Sequence, residues 1–170
     1  MTRSIGQDYI KGSYYGHEMS VSEFADAIPY HLDYLLFDMC FTGGVEVAYG
    51  LKDKADYLGL SPAEVLGDGM FDYTKITSFL LDRTTPDLEG LFKDSFGMYD
   101  KQNGAYRSAT INLVRTDGLD NLARVCSDLF REYSDTLSNA PTHLIQGYFR
   151  NDRHYFFDLM DTFRKCISNE

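Results

Sequence analysis

Asp38 and Cys40 stand two residues apart, just ahead of the pair Gly43-Gly44. In extended chain that spacing puts a carboxylate and a thiol on one face. Asp38 interrupts the otherwise apolar run Tyr34-Leu35-Leu36-Phe37-Asp38-Met39-Cys40, so it needs hydrogen-bonding or charged partners. After the glycines, Val45, Val47, Ala48 and Leu51 recur at helical spacing. A thiol at a strand's carboxyl end, before a Gly turn and a helix N-terminus, meets backbone amides that favour thiolate, and a thiolate is a nucleophile. Residue types alone leave plainer roles open, with Cys40 packed in a core and Asp38 satisfied by loop amides. Cys126 and Cys166 fall inside helical patterns, where core packing is the expected role.

The elements around this segment read as alternating strands and helices. Residues 1–19, rich in Gly, Ser and Tyr, read as loop or irregular strand. Ser20 and Glu23 form a capping box ahead of a short helix that ends at Pro29. The apolar run 34–40 reads as a strand buried on both faces, and Tyr57 to Leu60 as a second. Helices are expected over 73–81 and, with Thr85 as cap and Pro86 at the first helical position, over 86–98. Asn103-Gly104 marks a turn before a strand at 109–114. Leu119, Leu122, Cys126, Leu129 and Tyr133 predict a long helix over 117–137, and Phe156, Leu159, Phe163 and Ile167 a last one over 155–167. The class is therefore α/β with a mainly parallel sheet flanked by helices. Three or four strands leave sheet edges uncovered, as in an incomplete domain.

Composition narrows the functions. Of the 170 residues, 44% are hydrophobic and 15% aromatic, which suits a folded core. The net charge of −10 excludes a nucleic-acid surface or an anionic membrane as partner, because phosphate binding needs clustered positive charge. A basic peptide suits it. Three widely spaced cysteines indicate neither a disulfide framework nor a zinc site. No apolar run approaches the roughly 20 residues that span a bilayer, and residues 1–16 lack a signal-peptide core.

The segment from Leu35 to Tyr49 reads Leu35-Leu36-Phe37-Asp38-Met39-Cys40-Phe41-Thr42-Gly43-Gly44-Val45-Glu46-Val47-Ala48-Tyr49. It resembles the D-x-C-x-x-G-x-x-E-x-A-Y signature of clostripain-like cysteine peptidases, which have a caspase-like fold. The likeness continues through Ala55-Asp56-Tyr57, Ser61-Pro62-Ala63-Glu64, Gly67-Asp68-Gly69, Arg107-Ser108-Ala109-Thr110 and Phe157-Asp158-Leu159. It implies that Cys40 is the attacking thiolate and that nearby amides hold the oxyanion. It also implies that Asp38 lies at the base of a pocket for the Arg or Lys preceding the cleaved bond, with Asp68 near its mouth and Ser61 among the substrate-binding residues. The family's base is a His followed by Gly, and none of His17, His31, His143 or His154 is followed by Gly. His17 reads as an exposed loop residue.

The resemblance therefore describes residues 1–170 as a single partial peptidase domain without its His-bearing N-terminal segment or its C-terminal remainder. Its substrates would be proteins or peptides with Arg or Lys, and its partner a His-bearing chain of the same precursor. Alone it would be inactive. The alternative is an inert module that binds basic peptides through the same acidic pocket. No metal ligands are read from the residues; the resemblance admits calcium, as in some relatives, and an exported or cell-surface bacterial location.

Precursors in this family are often cut by their own activity between the His and Cys segments, and Arg3-Ser4 occupies the corresponding region, with Lys11 the alternative. N-terminal sequencing of a longer, His-bearing form should find the Cys40 chain beginning at Ser4, and no cut in Cys40→Ala. An active enzyme intact at both Arg3 and Lys11 would contradict this.

Overall fold

A computed structural model describes residues 4–5, 8–10, 13–15, 19–67, 69–82, 84–150 and 153–167, in two compact units that divide between Asp117 and Gly118. In the first unit the Gly- and Tyr-rich start forms short antiparallel ladders. Here β1 (Ser4–Ile5), β2 (Asp8–Ile10), β3 (Ser13–Tyr15) and β4 (Met19–Ser20) pair β1 with β4 and β2 with β3. Helix α1 (Val21–Ala27) starts on the expected capping box: Ser20 Oγ accepts from the Glu23 amide at 3.2 Å, and the Glu23 carboxylate accepts from the Ser20 amide at 2.8 Å.

The sheet grows from β5 (Leu32–Leu36), α2 (Val45–Leu51) and β6 (Ala55–Leu60), a strand–helix–strand unit with β5 and β6 parallel. Val47, Ala48 and Leu51 are the buried face of α2, as their spacing requires. β5 is shorter than the expected strand over 34–40. Its ladder runs from Leu32 opposite Ala55 to Leu36 opposite Gly59, and the Phe37 amide adds one more bond to Gly59 O at 2.9 Å. Beyond it the chain turns, so Asp38 and Cys40 lie past the strand end.

Helices α3 (Ile76–Leu80) and α4 (Leu88–Asp100) follow. The cap of α4 is Asp87, whose carboxylate accepts from the Gly90 amide at 2.9 Å, and not Thr85; Pro86 stays outside the helix. Met70, Phe71, Leu91 and Phe92 form a buried cluster that Leu36 and Leu113 flank, with the Phe71 and Phe92 rings edge-on at 5.7 Å. The last strand of this unit, β7 (Asn112–Arg115), runs antiparallel to β6, giving the order β5-β6-β7. One strand pair is parallel and the other antiparallel, and the α/β class expected from the sequence is the class observed.

In the second unit the long helix expected over 117–137 is two helices, α5 (Leu119–Glu132) and α6 (Ser134–Ser138), interrupted at Tyr133 (φ −110°, ψ 27°). Ser134 and Asp135 follow the break, and such side chains compete with helical backbone bonding. The helix expected from Tyr155 begins later, because β8 (Gly147–Arg150) and β9 (Arg153–Phe157) pair as an antiparallel hairpin. Asn151 and Asp152, turn-forming types, stand between them in sequence. Helix α7 (Leu159–Ile167) starts where Asp158 accepts from the Asp161 amide at 2.8 Å, and its Phe163 ring meets Phe130 of α5 at 5.3 Å.

The exits of β5 and β6 are joined backbone to backbone. Phe41 N–H donates to Ala63 O at 2.9 Å and Gly43 N–H to Ser61 O at 2.8 Å. A Cβ on Gly43 would lie 2.5 Å from Pro62 N and 2.8 Å from Ser61 C, main-chain atoms that cannot swing aside. Gly43→Ala should therefore cost about 1–3 kcal/mol, the range for overpacking a close-fitted site. Urea unfolding of the variant checks this; an unchanged midpoint would contradict it.

Candidate active site

Cys40 sits in the turn over residues 39–42, four positions beyond the last residue of β5. The turn is held by Thr42, whose hydroxyl donates to Met39 O at 3.2 Å and accepts from the Ser61 amide at 3.2 Å. Phe41, directly after the thiol, has φ 58°, a left-handed conformation unusual for a residue with a bulky side chain. That reversal swings the chain from the strand into Gly43-Gly44 and α2. The half-buried Cys40 sulfur faces the loop after β6: Val65 N–H donates to Sγ at 3.2 Å, and Sγ–H donates to Val65 O at 3.6 Å. The sequence pointed to amides ahead of α2; this one comes from across the sheet end.

The same loop, a few residues on, holds Asp38. Its Oδ1 accepts from Met70 N–H at 2.6 Å and its Oδ2 from Tyr73 Oη–H at 2.8 Å. Gly69, at φ 84°, packs so closely on this carboxylate that a Cβ there would lie 2.6 Å from Oδ2. The Tyr99 hydroxyl donates to Gly69 O and steadies the turn. Burial, then the hydrogen bond to Asp38, raises the Tyr73 phenol above its ordinary pKa. Lys75, two residues beyond Tyr73, pairs with Asp72 at 3.0 Å and Asp94 at 3.4 Å. Among the described residues the hydrogen-bond partners of Asp38 are neutral donors.

Ser61 is fully buried. Its hydroxyl donates to Ala63 O at 3.1 Å and shares a 3.1 Å hydrogen bond with the Thr110 hydroxyl, tying the loop after β6 to the segment entering β7. With Val65, Met70, Tyr99 and Thr110 it lines a narrow pocket beside the Cys40 and Asp38 partners. The structure thus brings Cys40, Asp38 and Ser61 to one end of the sheet. Asp68, Arg3, Lys11 and His17 lie outside the described residues, and Ser4 starts β1. Val65, Met70 and Tyr73 were not singled out from the sequence: they act from 25 to 35 positions away, two of them through backbone amides that every residue carries.

His31 precedes the first residue of β5, so it is at the opposite end of the strand from Cys40. Its ring nitrogens meet Asp56 Oδ1 at 2.9 Å and Asp53 O at 3.1 Å. The Asp56 bond is the main reason its pKa is raised. His143 and His154 belong to the second unit. Among the described residues no group of three or more His, Cys, Asp or Glu forms a metal-ligating set. No helix among them is long and apolar enough to cross a membrane.

Comparison with known proteins gives a consistent picture. The model of the clostripain family matches residues 1–168. A solved clostripain from Bacteroides thetaiotaomicron, in complex with a peptide inhibitor, is 28% identical with a TM-score of 0.80, and the match covers 95% of this chain and 71% of that one. A secreted cysteine protease of the same organism, "iotapain", is 29% identical over 91% of this chain and 43% of its own, with a TM-score of 0.78. An inactive zymogen protease from Parabacteroides distasonis is 29% identical over 89% and 43%, with a TM-score of 0.75. The chain thus spans less than half the length of the last two. No curated protein matches it.

The three thiols should differ in reactivity. Cys166 is buried, and burial pushes the Cys126 thiol pKa up. Brief iodoacetamide labelling read by mass spectrometry should modify Cys40 at least about tenfold faster than either. Earlier labelling of Cys126 or Cys166 would remove Cys40 as the activated thiol.

Proposed function

The chain belongs to the clostripain family of cysteine peptidases, and from that premise we propose that it carries the nucleophile and the specificity pocket of an endopeptidase cutting after Arg or Lys. One observation carries the reading. The loop after β6 presents Val65 to the Cys40 sulfur and Met70 and Tyr73 to the Asp38 carboxylate, so a single scaffold aligns a thiol with an anion that lacks a cationic partner among the described residues.

The substrate's basic side chain lies against Asp38, which sets that residue's own carbonyl near Cys40. Sγ attacks the carbonyl carbon, a C–S bond forms, and backbone amides around the turn take up the charge on oxygen. The C–N bond then breaks as a protonated histidine gives its proton to the leaving amine, and water hydrolyses the thioester. His31 is at the wrong end of β5 for that step. We assign the base to a histidine in a part of the natural protein beyond these residues. A secreted relative supports export of the whole protein, and the acidic pocket supports substrates with exposed Arg or Lys.

In the peptidase with its histidine restored, Asp38→Asn should lower kcat/KM for Arg and Lys peptides by about 2–5 kcal/mol, tens to thousands of fold, as when a buried charge loses its partner. Parallel assays on Arg, Lys and uncharged peptides check this. Equal loss on all three would remove Asp38 from the pocket, and tight peptide binding without Cys40-dependent cleavage would identify an inert binding module instead.

A further inference from the structure

Both oxygens of Asp38 already accept a hydrogen bond, and the two donors differ in kind. Met70 donates through its backbone at 2.6 Å and cannot withdraw without moving the chain, whereas Tyr73 donates through a side-chain hydroxyl at 2.8 Å. Tyr73 is 61% exposed, so it is a surface side chain whose hydroxyl reaches the half-buried carboxylate. Its backbone is fixed by its neighbours. Asp72 Oδ1 accepts from the Thr74 amide at 3.0 Å, and the Asp72 carbonyl accepts from the Lys75 and Ile76 amides at 3.0 Å each. The ring is thus delivered from a rigid turn onto Oδ2.

We propose that Tyr73 determines which basic side chain the pocket prefers: by bonding Asp38 Oδ2 it competes with one arm of a guanidinium's two-oxygen fork and favours the point charge of a lysine ammonium. This rests on Asp38 receiving the substrate's basic group. A guanidinium binds a carboxylate best through two parallel N–H···O bonds, one to each oxygen. An ammonium needs only one accepting oxygen and can take its other partners from water or carbonyls. With one lone pair of Oδ2 taken by the phenol and one of Oδ1 by the Met70 amide, a single free site remains on each oxygen: an ammonium needs one of them, whereas the fork needs both and shares Oδ2 with the phenol.

The test uses binding, so that it does not depend on the base. Matched peptide amides ending in Lys, Arg or norleucine are titrated calorimetrically into Cys40→Ala and into Cys40→Ala carrying Tyr73→Phe. Phe keeps the ring and removes only the hydroxyl, at an exposed site, and thermal melting confirms that both proteins are folded. The first protein should bind Lys more tightly than Arg, and both more tightly than norleucine. Tyr73→Phe should shift the Arg-to-Lys affinity ratio toward Arg by about five- to tenfold, the gain of one charge-assisted hydrogen bond. An unchanged ratio with the basic preference intact, or equal weakening for both basic peptides, would overturn the role of Tyr73 and leave the pocket standing. No preference for either basic peptide over norleucine would overturn the pocket, and this proposal with it.

Discussion

The exits of two parallel strands are bonded to each other, and everything at this end of the sheet follows from that contact. Gly43 brings its backbone onto Ser61 and Pro62 with no room for a side chain, and Phe41 and Gly43 donate across the gap to Ala63 and Ser61. The Thr42 hydroxyl, buried in the same place, bonds to Met39 on its own side and Ser61 on the other. Four residues of irregular chain are thereby held almost as firmly as strand. Cys40 lies within them, so its sulfur has a fixed direction before any substrate arrives.

The loop after β6 extends this constraint to the carboxylate. A half-buried carboxylate with no cationic partner among the described residues is unfavourable unless its oxygens are satisfied, and hydrogen bonds to charged groups contribute about 1.5–3 kcal/mol each. Met70 and Tyr73 provide two. Because Val65, Gly69, Met70 and Tyr73 are on one stretch of chain, whatever shifts that stretch shifts the surroundings of both Cys40 and Asp38. Ser61 and Thr110 anchor its start, and Tyr99 of α4 anchors Gly69.

Much of this was legible in the residues. The Asp38-x-Cys40 spacing, the glycine turn, the short helix α2 with its buried Val47, Ala48 and Leu51, and the capping box at Ser20 are local patterns, and local patterns survive folding well. Where the strand stops was harder to read, because Phe37, Met39 and Cys40 continue the apolar run, broken by Asp38 alone, after the ladder to β6 has ended. The hairpin of β8 and β9 was hidden because Tyr155 to Phe157 carry aromatic residues that fit either period. Asp87 rather than Thr85 caps α4, a difference of two residues that the Thr-Pro pair obscured. The donors to Cys40 and Asp38 could not be read at all, since two are main-chain amides and the third, Tyr73, is one of 13 tyrosines.

Among the described residues β5 stands at the edge of its sheet, paired with β6 on one side. An edge strand presents a row of unbonded amides and carbonyls, and proteins ordinarily blunt such edges with charge, proline or a covering element. Within β5 the one charged side chain is Asp33, among Leu32, Tyr34, Leu35 and Leu36. So lightly guarded an edge is adhesive in its own right. Taken alone at high concentration, these residues would tend to associate strand to strand through the same apolar run that leads to the thiol.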